Sequence, residues 1–224
     1  LKDKVDKLHK QIDDLRHRYH VLNDPEVTDA MYQGLMDELR KIEEAHPSFR
    51  TPDSPTQRVA GEPAKGFKKV EHRVPQWSFD DAFSIEDLER WEERNLKILE
   101  KKLGKRPTDI HYTCELKIDG LHIVLTYEGG KLLTAATRGD GKVGEDVTQN
   151  IKTIESIPLT IAEQDTLVVE GEVWLGTKMF DKVNKEREKE GLALYANPRN
   201  VAAGTIRQLD AKIVASRKLQ LTAY

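Results

Sequence analysis

The sequence predicts an α+β fold in which an amino-terminal helical hairpin precedes a strand-rich body with an antiparallel sheet. Three observations carry that reading. Val5, Leu8, Ile12, Leu15, Tyr19 and Leu22 recur three or four residues apart, which lays one apolar stripe along a helix. Apolar residues recur with the alternation of a strand over 121–127 and 131–137. Glu128-Gly129-Gly130 joins those two stretches, and so short a connection closes a hairpin.

In chain order, the first helix ends at Asn23-Asp24-Pro25, because the residue before a proline is pushed out of the α region. Thr28 or Asp29 can cap a second helix with Tyr32, Leu35, Met36, Leu39 and Ile42 on one face. Residues 46–66 hold four of the nine prolines and read as an extended connector with little regular structure. Ile85 to Glu100 reads as a third helix. Stretches at 110–117, 167–175 and 217–224 read as further strands, and 177–190 and 200–208 fit helices. The charge run KVNKEREKE at 182–190 is most simply a solvated helix face. There is no internal repeat and no low-complexity tract.

Composition narrows the class. The 224 residues carry 36 basic against 39 acidic side chains, a net charge of −3, so the chain lacks the basic footprint of a tight autonomous DNA binder. No apolar run approaches the roughly 18 residues of a membrane span. The opening LKDKVDKLHK is charged throughout, unlike the apolar core of a signal peptide. One cysteine, Cys114, excludes an internal disulfide and a multi-cysteine zinc site, and points to a reducing, cytoplasmic setting. The chain starts without Met and stops at Tyr224 within an alternating stretch, so it reads as a fragment.

Chemistry concentrates in CELKIDG, residues 114–120. On a strand, Glu115, Lys117 and Asp119 would share one face, with Cys114, Leu116 and Ile118 on the other. A lysine between two carboxylates on a buried strand suggests a working lysine. A salt-bridge ladder on a solvated sheet would show the same pattern, and such pairs contribute little. A nucleophilic lysine must shed a proton from a reference pKa of about 10.4. Adjacent carboxylates hold that proton on, so desolvation or a bound cation must oppose them. A divalent metal bridging a phosphate and a carboxylate would do so, and would polarise the phosphorus under attack.

Gly139-Asp140-Gly141-Lys142-Val143-Gly144 matches G-x-G-x-x-G and is followed by the helix-like DVTQNIKTI. A dinucleotide-binding fingerprint requires a parallel βαβ unit. Here the preceding strands form an antiparallel hairpin, so the match does not carry that reading. A glycine-rich loop after Arg138 can still shape a nucleotide pocket.

Lys117-Ile118-Asp119-Gly120 resembles the K-x-D-G nucleophile motif of covalent nucleotidyltransferases: DNA and RNA ligases and mRNA capping enzymes. CELKIDGL, ATRGDGKVGEDVTQNIKTI, VEGEVWL and YANPRNVAAGTIRQLD, with YHVLNDPEVTDAMY and TPDSPTQRVAGE upstream, are similar in order to the bacterial NAD-dependent DNA ligase family. K-x-D-G alone is a weak pattern, whereas the blocks together are specific. The resemblance implies an ATP-grasp-like nucleotidyltransferase domain truncated at its carboxyl end. Residues 1–48 would be a helical hairpin that binds nicotinamide mononucleotide, 49–66 a connector and 67–224 the partial adenylation domain. Two further lysine motifs would lie downstream, as would OB-fold, zinc-finger, helix-hairpin-helix and BRCT modules, so zinc belongs outside these residues.

The resemblance also implies roles. Lys117 would attack the α-phosphorus of NAD, expelling nicotinamide mononucleotide and leaving a lysyl-AMP phosphoramidate. Asp119 would sit on the ribose or metal side and Glu115 near the adenine. Arg138 matches a nucleotide-binding arginine, and Glu172 a glutamate that holds the ribose or a magnesium ion. Ser78 and Phe79 fall where the family sets a Ser-Leu pair against the nucleotide. Arg199 and Arg207 match arginines at the nucleotide and nicked-DNA face. Their spacing of eight puts them near one side of a helical segment, where guanidiniums can grip phosphates bidentately.

Tyr19, His20, Asp29 and Tyr32 match positions that grip nicotinamide mononucleotide, and Gln33 stands where the family carries an aspartate. An aromatic pair suits a cationic pyridinium ring, although Tyr19 and Tyr32 also extend the apolar stripes. The implied activity is NAD-dependent nick sealing in DNA replication and repair, with magnesium, by a cytoplasmic monomer acting on nicked duplex DNA, away from membranes. An ATP-using ligase or capping-type enzyme is one alternative, and a catalytically silent nucleic-acid scaffold is another.

Overall fold

A computed structural model of the protein describes residues 1–18, 27–58, 66–78 and 80–224, with the side chains of residues 29 and 30 also outside the description. The expected site residues Tyr19, His20 and Phe79, and the side chain of Asp29, therefore lie outside the described residues.

The hairpin is built as its apolar spacing requires. Helix α1 (Lys2–His17) turns Val5, Leu8 and Ile12 inward, and α2 (Asp29–Ala45) answers with Leu39; Ile12 and Leu39 are fully buried. Thr28 caps α2, its hydroxyl accepting from the amide of Met31 at 3.3 Å, which satisfies one of the unpaired donors of the first turn.

The following segment differs from the expected extended connector. It forms two single 3-10 turns, Pro47–Phe49 and Pro55–Gln57, and is strapped onto the body. Lys131 donates to Asp53 at 3.0 Å, Lys152 donates to the carbonyl of Pro52 at 3.1 Å, and Arg58 is buried. Prolines here fix φ within turns instead of extending the chain. Strand β1 (Lys69–Glu71) follows.

Residues 76–117 form a separate compact unit. Its one long helix, α3 (Ile85–Leu103), is capped by Ser84, whose hydroxyl accepts from the amide of Asp87, and ends at Gly104 in the left-handed region. The apolar residues Ile85, Leu88, Ile98 and Leu103 remain exposed. Trp91 lies against Tyr112, ring centroids 5.6 Å apart, and Arg106 forks onto the carboxylate of Glu93. The expected strand at 110–117 is absent. The segment is irregular and almost wholly exposed, and it pairs with no strand among the described residues, so the alternating-face geometry drawn for Glu115, Lys117 and Asp119 does not arise.

The remaining residues, together with 1–75, form the other unit. Strands β2 (Leu121–Glu128) and β3 (Lys131–Thr137) make the expected hairpin through Gly129 and Gly130, both at positive φ. Strand β4 (Val143–Glu145) pairs antiparallel with β1, and the single-turn helix α4 (Thr148–Ile151) follows. Strand β5 (Leu167–Trp174) pairs antiparallel with β2. Helix α5 (Thr177–Lys189) carries the charge run on its solvated side and buries only Val183.

Helix α6 (Pro198–Ile206) begins two residues before its expected start, because Asn197 caps it and Pro198 occupies the first turn. Helix α7 (Ala211–Ser216) leads to strand β6 (Gln220–Ala223). The main sheet has the order β3-β2-β5-β6 and is antiparallel throughout. Its inner face, with Ile123, Leu125, Ala135 and Val173, packs on Ile151, Ile154, Ile206 and Val214 from the helices and turns. That packing leaves the even-numbered residues of β5 for the other face.

Candidate active site

Alternation on β5 puts Glu170, Glu172 and Trp174 on one face, while Val173 points into the core. The registers align His122 with Glu172 across β2–β5, and Glu172 with Thr222 across β5–β6. Three strands thus contribute a polar row, His122–Glu172–Thr222. The Trp174 indole donates to the Thr222 hydroxyl at 3.0 Å. His122 sets Nδ1 2.6 Å from the Tyr224 hydroxyl and Nε2 3.7 Å from a Glu170 oxygen. Burial pushes the Tyr224 phenol up to about 12, helped by the Glu172 and Glu170 carboxylates. Burial pushes the His122 imidazole down, helped by the neighbouring Arg138 guanidinium.

Asp119 and Gly120 belong to this unit and lie beside α6. The Arg199 Nε lies 3.4 Å from Asp119 and donates to the Gly120 carbonyl at 3.1 Å. Asp119 and Arg199 are both exposed, so the pair orients more than it stabilises. Gly120 is buried, and a Cβ placed there would stand 2.1 Å from the Val173 carbonyl oxygen. The glycine of K-x-D-G is thus set by the close approach of its backbone to β5.

Gly120→Ala is expected to lower stability by about 3 kcal/mol, a Tm fall of roughly 6–12 °C, because backbone and not a flexible side chain must move. Circular dichroism melting of the purified protein checks this. An unchanged Tm would show that the strand yields freely.

The Arg138 backbone carbonyl accepts from His72 Nε2 at 3.0 Å. The glycine-rich loop after it is a turn between β3 and β4. Asp140 accepts from the amides of Lys142 and Val143, both at 2.8 Å, which holds its carboxyl below the usual range. Gly139 sits at φ +58°, and a Cβ there would meet the Val143 carbonyl at 1.8 Å. The G-x-G-x-x-G match therefore serves a tight antiparallel turn. Arg207 pairs with Glu145 at 3.2 Å, so the two expected arginines engage different carboxylates.

In the hairpin, Tyr32 packs against the helical core and is half-buried. Burial pushes its phenol up, with the Glu155 charge adding to the effect. Gln33 is exposed and donates to Asp37 at 2.8 Å. In the separate unit, Lys117, Glu115 and Ser78 are all exposed. His122, Trp174, Thr222 and Tyr224 are additions that sequence reasoning missed. Alternation outward from Glu172 would have flagged Trp174, whereas His122 and Tyr224 depend on strand register.

Residues 1–60 match the family model described as the DNA ligase-like, N-terminal NAD+-binding domain. Residues 64–224 match that of the NAD-dependent DNA ligase adenylation domain. The chain belongs to the NAD-dependent DNA ligase adenylation domain family. It is 46% identical over 220 residues to the DNA ligase of Anoxybacillus flavithermus, covering 98% of this chain and 32% of that protein. It is 48% identical over 223 residues to the DNA ligase of Listeria innocua, covering 100% of this chain and 32% of that protein. The DNA ligase of Prochlorococcus marinus is 48% identical over 227 residues, covering 99% of this chain and 33% of that protein. The chain thus spans about a third of the length of these relatives. Among the described residues, no helix is long and apolar enough to cross a membrane.

Proposed function

We propose that this chain carries out the adenylation step of NAD-dependent DNA nick sealing. The observation that carries the reading is the order of the two matches, an NAD+-binding domain over 1–60 and an adenylation domain containing Lys117 over 64–224. The amino-terminal match also favours NAD over ATP as the AMP donor, since an ATP user has no nicotinamide to hold. No observation favours a silent scaffold.

The Lys117 amine gives its lone pair to the α-phosphorus of NAD and loses a proton. A P–N bond forms, the P–O bond to nicotinamide mononucleotide breaks, and that mononucleotide leaves. AMP then passes to a 5′-phosphate at the nick, and the 3′-hydroxyl displaces it as the phosphodiester forms. Glu172 is assigned the AMP ribose or the metal and Arg138 the nucleotide; Glu115 is assigned the adenine, and Ser78 and Phe79 the role of the family's Ser-Leu pair. Tyr19, His20, Asp29, Tyr32 and Gln33 hold the nicotinamide half. Asp119, paired with Arg199, serves the ribose or metal side, and Arg199 and Arg207 serve the nucleotide and nicked-DNA face.

Asp119 and Glu172 offer the hard oxygen donors that magnesium takes together with substrate phosphates. Bound there, the ion would supply positive charge to the phosphorus under attack. Among the described residues no group of three or more His, Cys, Asp or Glu forms a closed metal cage, and zinc is assigned to a region downstream. The exposed, unpaired Cys114 suits a reducing cytoplasm, where a monomer would serve replication and repair on nicked duplex DNA.

Intact mass of the full-length protein after incubation with magnesium and either NAD or ATP tests the reading. A gain of one AMP with NAD alone is expected. A gain with ATP alone, or none with either, overturns it.

A further inference from the structure

One pair on the Glu172 face has no part in the chemistry above. The His122 side chain is 15% exposed and lies between Glu170 and Tyr224. It points away from the sheet's inner face, so hydrophobic packing does not explain a histidine there. We propose that His122 is a positioning residue for the nucleotide, holding the Tyr224 ring on the Glu172 face by accepting the phenol hydrogen at Nδ1. This rests on the reading of that face as the nucleotide site.

The direction of the hydrogen bond follows from the neighbours. An ionised carboxylate only accepts, so the Glu170 oxygen 3.7 Å from Nε2 favours the tautomer with its proton on Nε2. Nδ1 is then the acceptor, and the Tyr224 hydroxyl 2.6 Å away is the donor. Burial with the Arg138 charge favours the neutral imidazole, and burial with Glu172 and Glu170 favours the protonated phenol. Both protonation states suit this bond.

Tyr224 stands just past β6, where its amide still donates to the Glu170 carbonyl at 3.2 Å, while the residue is only about half exposed. The backbone is therefore tied, and the hydroxyl bond to His122 orders the ring. A nucleotide reaching this face meets a surface already ordered, which lowers the entropy cost of binding.

The test measures single-turnover self-adenylation of the full-length protein against NAD concentration. His122→Ala and Tyr224→Phe should each raise the NAD concentration at half-maximal rate about five-fold, as expected for one neutral hydrogen bond. The effect on the maximal rate should be smaller. The double variant should be no worse than either single, because both remove the same bond. His122→Asn, whose amide oxygen falls near the position of Nδ1, should recover most of the loss.

Additive losses, an unchanged half-saturation in either single variant, or no recovery by asparagine would overturn the inference. Tyr224→Phe removes one oxygen from a half-exposed residue and keeps the ring, so it keeps the test available should His122→Ala fail to fold. A wild-type protein that takes up no AMP from NAD overturns the functional reading as well. A wild type that takes it up, with additive variants, overturns this inference alone.

Discussion

Replacing Lys117 with arginine in the full-length protein is expected to abolish formation of the covalent AMP adduct while leaving the fold intact. Arginine keeps the positive charge but does not deprotonate in proteins, so it offers no lone pair to phosphorus. Removing a covalent nucleophile should reduce the rate by roughly 10⁶-fold, to the limit of detection. The Lys117 side chain is exposed in an irregular segment, so the change in stability should stay within about 0.5 kcal/mol.

Intact mass and a melting curve on the same preparation separate the two effects. Peptide mapping adds a stricter condition. Lys131 is engaged with Asp53, and Lys142 sits on the β3–β4 turn. An adenylate mapped to either of them, or a normal adduct on the arginine variant, would sink the assignment.

The proposal for Lys117 rests on the K-x-D-G motif alone, because the strand expected over 110–117 does not form. Alternation over 110–117 is a true feature of the sequence, but alternation describes only which faces a strand would present. A strand forms when its amides and carbonyls find a partner, and this segment finds none among the described residues. Elements that complete their own hydrogen bonds or pair with a near neighbour were legible. The α1 stripe, the Thr28 cap and the turn at Gly129-Gly130 each depend on residues within a few positions.

The site divides in the same way. Lys117, Asp119 and Gly120 are consecutive enough to read as a motif. His122 and Tyr224 lie 102 residues apart, and only the registers of β2 with β5 and of β5 with β6 bring them together. The connector hid its packing for a related reason. A proline-rich stretch without periodicity gives no sign that one arginine within it will find buried carbonyls.

That arginine is the site of the largest expected loss of stability. Arg58 is 5% exposed, and one terminal nitrogen donates to the carbonyls of Lys152 at 3.0 Å and Ile154 at 3.2 Å. Its other terminal nitrogen donates to Ile157 at 3.0 Å. Arg16, 4% exposed, donates to the Glu155 carbonyl beside them. Burial, then the nearby Arg16 charge, pushes the Arg58 guanidinium down to about 10, while Glu155 opposes the shift. It therefore stays cationic at neutral pH, and its desolvation is offset by the carbonyls it bonds.

Arg58→Ala should cost about 3–5 kcal/mol, because it strips a partner from three buried carbonyls and leaves the Glu155 carboxylate without its nearest opposing charge from the connector. For a chain of this size that is a Tm fall of roughly 6–20 °C. Lysine should recover only part of the loss, since an ammonium cannot reproduce the planar fork that spans the Lys152, Ile154 and Ile157 oxygens. Methionine supplies the control, because it refills the stem's volume without any donor. If the methionine variant melts with the wild type, the packing of the stem holds residues 55–58 against the turn at 152–157, and the hydrogen bonds do not. If it melts with alanine, the three carbonyl bonds are what fasten the connector to the body.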